Sequence, residues 1–212
     1  MEPDVVDCAE FWETSTVAGL RPEHLSTNLV ARGLKDFILS FSGLEIFSIS
    51  PPNITCQAEP FPILLAALRK QHSATLKVLS IRPQGASNNF LDGESLAELT
   101  DHLMSIEELR FGVDQIAVPH AIPLVMKLPQ IRLLHVNGRD NGTEWTDNSL
   151  DQLRKALHQG SAKRLRYAKF GDGVTYKVLR EPLQLVEEAT PVGFIGDTFL
   201  FREKVFQWDG ST

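Results

Sequence analysis

The side chains that could do chemistry are widely spaced and fit no catalytic pattern. The six histidines, His24, His72, His102, His120, His135 and His158, show no H-E-x-x-H or other ligand spacing, so no metal site is expected. Ser40, Ser42 and Ser161 stand in no G-x-S-x-G context, and neither Cys8 nor Cys56 has a nucleophile's setting. Asp140 and Asp172 lie close to glycines, which invites a carboxylate-hydrolase reading. Asp and Gly together are first of all turn chemistry, and that explains both positions. No catalytic residue and no cofactor is expected. The chemistry that remains is recognition.

Recognition needs a scaffold, and the scaffold is legible as a recurring string. Apolar-x-x-apolar-x-apolar appears as "LEIFSI" from Leu44, "LKVLSI" from Leu76, "IEELRF" from Ile106, "IRLLHV" from Ile131 and "LRYAKF" from Leu165. A helix-like stretch precedes each. Leu34, Phe37, Ile38 and Phe41 form one apolar stripe, and Gly43 sits where a helix stop and reversal would want it. "FPILLAALRKQ" carries Leu64, Leu65 and Leu68 inward, with basic residues in its last turn. Ser95 and Glu98 read as a capping box for a helix through Leu99 and Leu103. "HAIPLVMKLP" places Pro123 in a first turn and Pro129 at a stop. "NSLDQLRKALHQG" starts after Asn148 as N-cap and stops at Gly160.

Strings at intervals of roughly thirty residues, with one strand and one helix each, predict a leucine-rich-repeat-like solenoid. A lone unit cannot cover its apolar face, but stacked units bury one continuous core. The expected class is therefore α/β, with about five strand-helix units and a parallel sheet on one face. A doubly wound sheet is the rival, but its strands would be near-continuous apolar runs. Here polar residues interrupt every string. The organisation expected is a leader or partial cap over 1–27, the solenoid over 28–170 and a β-rich cap over 171–212.

The cap reading rests on "LRYAKFGDGVTYKVL", a hairpin signal around Gly171-Asp172-Gly173. An irregular segment follows, and then a strand-like stretch, "DTFLFREKVFQW". Phe194, Phe199, Phe201, Phe206 and Trp208 would cover the last core layer. At the other end, "GLRPEHLSTNLV" has the composition of a short helix or turn.

Bulk properties narrow the partner. The 212 residues carry a formal net charge of -6, which argues against a nucleic-acid backbone as principal ligand. No run approaches the roughly 18 apolar residues of a membrane span. The first twenty residues show no export signal, so an intracellular protein, cytoplasmic or nuclear, is expected.

"GLKDFILSFSGLEIFSISPPN", "SATLKVLSIRP", "IEELRFGVDQ" and "GDGVTYKVLREPL" with "EKVFQWDG" together resemble the leucine-rich-repeat region of filamentous-fungal F-box-type proteins. The resemblance covers roughly residues 28 to 210. It implies a substrate receptor of a cullin ubiquitin ligase, in which an F-box docks the Skp adaptor and the repeats hold the target. Residues 1–30 contain no F-box pattern. No adaptor-binding residue can therefore be carried over, and the Skp adaptor has no visible docking element.

The ligand surface expected is the strand face turned away from the helices, reached by every second residue. Its candidate residues are Arg82, Glu108, Arg110, Leu133, His135, Tyr167 and Lys169. Basic and apolar side chains together suit a protein or peptide ligand that is acidic and partly apolar. The expected function is a non-catalytic protein-protein interaction module, a target-binding arm related to F-box receptors. The alternative from another class is a small hydrolase with its active site on the rim loops.

Overall fold

The computed structural model describes residues 9–49, 60–81, 90–113, 118–138, 143–171 and 174–188. Along the chain run α1 (Ala9–Val17), β1 (His24–Thr27), α2 (Leu34–Leu39), β2 (Ile46–Ile49) and α3 (Phe61–His72). Next come β3 (Val78–Ile81), β4 (Phe90–Leu91), α4 (Gly93–His102), β5 (Glu108–Val113) and α5 (Val118–Val125). The last elements are β6 (Leu133–Gly138), α6 (Thr143–His158), β7 (Tyr167–Phe170), β8 (Thr175–Arg180) and β9 (Leu183–Glu188). The fold is mixed α/β around one open sheet, ordered β1-β2-β3-β5-β6-β7-β8-β9, with β4 beside the end of β5.

All five strings are strands, and they neighbour one another in parallel from β2 to β7. The apolar positions of each string explain this. Leu44, Phe47 and Ile49, then Leu76, Leu79 and Ile81, then Ile106, Leu109 and Phe111 all face one core with the helix residues. Leu64, Leu65 and Leu68 of α3, Leu96 and Leu99 of α4, and Leu153 and Leu157 of α6 complete that core. Ile46, Val78, Leu133 and Tyr167 point to the other side and form a separate cluster that contains no helix residue. Among the described residues, the helices therefore pack on a single strand face.

Glycine supplies the reversals where expected. Gly43 has φ 95° just before Leu44, and Gly160 has φ 80° just after α6. Both values lie in the region that only glycine enters without cost. The hairpin is present too: β8 pairs antiparallel with β7, Ala168 opposite Tyr176.

Several expectations are corrected. "GLRPEHLSTNLV" contains a strand, because β1 pairs in register with β2 and its backbone groups are satisfied there. A local pattern as weak as His-Leu-Ser-Thr could not signal this. The N-cap of α4 is Asp92, whose Oδ1 accepts from Ser95 N–H at 2.8 Å; Ser95 is inside the helix. That bond and other nearby donors hold the Asp92 carboxyl below its usual pKa. Asn148 lies inside α6, which begins at Thr143. Pro123 lies well inside α5, which ends at Val125, ahead of Pro129. The stretch expected to be irregular after β8 is strand β9, reached through a cis Glu181–Pro182 peptide. The expected strand "DTFLFREKVFQW" and the five capping aromatics lie outside the described residues.

A chain of rings ties the N-terminal elements together. Trp12 is buried, donates from Nε1 to the Leu29 carbonyl at 3.2 Å, and stacks obliquely on Phe37. Phe37 meets Phe41, and Phe41 meets the His72 ring. His72 accepts the Leu44 N–H at Nδ1 (3.2 Å) and donates from Nε2 to the Ile38 carbonyl (2.9 Å). Burial pushes its pKa down, opposed in part by the Ile38 hydrogen bond. It is a neutral structural histidine.

Candidate partner-binding surfaces

The strand register assembles the expected ligand face row by row. Ile46, Val78, Glu108, Leu133 and Tyr167 are successive partners across β2, β3, β5, β6 and β7. Ser48, Ser80, Arg110, His135 and Lys169 form the next row in the same way. Six of the seven candidate residues are thus brought together; Arg82 lies outside the described residues.

Their exposure differs from expectation. Glu108 is 5% exposed, His135 5%, Lys169 4%, Leu133 1% and Tyr167 6%. Only Arg110 is half-buried. Alternation along a strand fixes which face a side chain takes, but it does not say whether water reaches that face. Here neighbouring side chains occupy one another's surface: the apolar row packs as its own cluster. His135 turns to donate from Nε2 to the Gly171 carbonyl at 3.0 Å, which anchors the start of the hairpin turn. It is committed to the protein. Ser80 Oγ, wholly buried between Ser48 and Arg110, has no hydrogen-bond partner among the described residues.

A second surface lies outside the expected ligand face, although the sequence carries its signal. The second residue of every string is charged: Glu45, Lys77, Glu107, Arg132 and Arg166. In the structure these residues form one rim along the strand starts. The carbonyl of each of the first four accepts two N–H groups from the next strand. Glu45 O, for example, accepts from Lys77 and Val78, and Glu107 O from Arg132 and Leu133. Glu23 extends the rim at the β1 end, its carbonyl taking the N–H groups of Glu45 and Ile46.

Strand spacing sets the backbones of these residues about 4.8 Å apart, and neighbouring side chains of opposite sign pair. Lys77 Nζ lies 2.8 Å from Glu45 Oε1, and Arg132 Nη1 lies 3.2 Å from Glu107 Oε2. The Glu45 hydrogen bond, helped by the charges of Glu45, Glu107 and Glu23, raises the Lys77 pKa.

The rim ends in a basic cleft of about 660 Å³ beside β7 and β8. Arg132, Lys163, Arg164, Arg166 and Arg180 line it, with Glu107 as the one acidic lining residue. Arg180 reaches back from β8 to donate to the Ala162 carbonyl at 2.6 Å. It thereby pins the turn that carries Lys163 and Arg164. At the opposite end of the sheet, an apolar groove of about 470 Å³ runs between α1 and the edge strand β1, floored by Trp12, Leu25 and Phe37.

No group of three or more possible metal-ligating His, Cys, Asp or Glu side chains occurs among the described residues, and none of their helices is long and apolar enough to cross a membrane. No family model, no curated protein and no solved structure matches the chain.

Proposed function

We propose that the chain is a non-catalytic protein-protein interaction module, built as a leucine-rich-repeat-like solenoid, that holds an acidic and partly apolar segment of a protein ligand. The supporting observation is the repetition of a single geometry. From β1 to β7 each strand start is bonded to the next in the same way, and equivalent side chains stand in register. Units that bury their apolar face only against neighbours on one helical layer follow the physics of a solenoid. Such an array offers an extended ligand regularly spaced contacts rather than one convergent point.

The likeness to F-box receptors makes this module a target-binding arm; co-purification with the Skp adaptor tests that relation separately. Arg110 is the part-exposed member of its row, between the buried Ser80 and His135. Its guanidinium can grip a carboxylate with two parallel hydrogen bonds, which a lysine cannot. Titrating peptides rich in Asp, Glu and Leu against the purified protein should show binding that neutral analogues lack. Arg110→Ala should weaken it by about tenfold or more, the hot-spot scale for a central arginine. Absence of any acidic preference would remove the reading.

A further inference from the structure

The strand-start rim is not charge-balanced along its length. Glu23 and Glu45 stand at one end, and Arg132 and Arg166 at the other. At that basic end the turn after α6 adds Lys163 and Arg164, and β8 adds Arg180. Five cations therefore meet one carboxylate around a single cleft, in a protein whose formal net charge is -6. Holding so many like charges together raises the local potential and draws anions to the spot.

Three of the five cations are also held in place. Glu107 orients Arg132, the carbonyls of Ala162 and Leu165 hold Arg180, and Gln130 Oε1 accepts from Arg164 Nη1. Lys163 is exposed on the same turn. A ligand would meet a preset arrangement, which lowers the ordering cost of binding.

We propose that this cleft is a docking site for an acidic peptide segment, a run of Asp and Glu on a protein partner. The inference rests on the interaction-module reading but names a different surface from the Arg110 row. Three observations select the ligand. The cleft, at about 660 Å³, is far larger than a single phosphate, so it has room for several carboxylates along a chain. Glu107 lies among the cations, and carboxylates spaced along a chain can straddle it where a dense multivalent anion would be repelled. A long nucleic-acid backbone would meet the acidic remainder of the protein. Arginine forks match carboxylates bidentately, so the chemistry fits.

The test is fluorescence anisotropy with a labelled Asp/Glu-rich peptide and its Asn/Gln counterpart. It compares the full chain with Lys163→Glu/Arg164→Glu and with Arg110→Ala, each checked for folding by circular dichroism. Both substituted cleft residues are exposed, so the double variant should fold. The expected result is binding of the acidic peptide alone, weakened about tenfold or more by the double variant and by raised salt. If the acidic peptide binds but only Arg110→Ala weakens it, the cleft proposal falls and the module reading stands. If no acidic peptide binds the wild type, both fall. If pyrophosphate alone binds and is lost in the double variant, the cleft serves a small anion and the peptide proposal is overturned.

Discussion

The second strand face and the strand-start rim are built from the same strands, yet they have opposite fates. Leu133 and Arg132 are adjacent in sequence, and so are Glu108 and Glu107. Leu133 and Glu108 are buried, whereas Arg132 and Glu107 remain part-exposed and pair with each other. The rim lies where each strand begins, so its side chains can reach outward into water. The face residues lie further along each strand, where Ile46, Val78, Leu133 and Tyr167 pack against one another across the sheet. In a parallel stack, position along the strand decides accessibility as much as the face does.

Substitutions on these surfaces can break that contrast. The largest effect belongs to the helix-facing side. Leu79 is wholly buried, and Leu79→Asp would set an unpaired carboxylate in the core. No cooperative unfolding transition should survive; a variant with normal near-UV circular dichroism would mean that the layer is not packed as described. On the second face, Leu133→Ala removes a side chain that is 1% exposed. It should cost about 2–4 kcal/mol in urea denaturation. A cost near zero would show that face to be wet after all.

His72 gives a smaller, pH-dependent signal. Its folded pKa lies below the ordinary 6.5 because burial disfavours the imidazolium. The unfolded chain therefore takes up a proton first as pH falls. Stability from this residue is full above pH 6.5 and is lost progressively as pH drops through the window between 6.5 and the lower folded value. One proton can contribute a slope of at most about 1.4 kcal/mol per pH unit. His72→Gln should flatten that limb of the stability curve, measured by denaturation from pH 7.5 downward. An unchanged limb would assign the acid sensitivity elsewhere.

The smallest effect is expected on the rim. Lys77 is exposed and paired with Glu45, and water screens such a pair so that it adds little to stability. Lys77→Ala should leave the melting temperature almost unmoved, and the difference should vanish in high salt. A loss as large as that of Leu133→Ala would make the rim a structural element rather than a surface.

Periodicity made the helix-facing core readable. Leu44, Leu76, Ile106, Ile131 and Leu165 recur with their helices, and Gly43 and Gly160 mark the reversals, because these signals are local and mutually consistent. The rim was equally present in the letters, in the charged second residue of each string. Alternation does not point to it, because these residues enter the strands rather than lie inside them. β1 and β9 were not legible. His-Leu-Ser-Thr has no strand-like composition to distinguish it, and Leu-Gln-Leu-Val-Glu-Glu becomes a strand by pairing with β8.

By itself, then, the sequence determined the parallel order of the five string strands, the single helical layer, and which side chains share a row. Backbone geometry forces alternation and register once the apolar positions are set. Tertiary structure alone decided that Glu108, His135 and Lys169 are buried while Arg132, Lys163 and Arg166 gather at a cleft. Burial depends on what lies beside a side chain in space, and charges brought together by separate turns and strands have no common address in the chain.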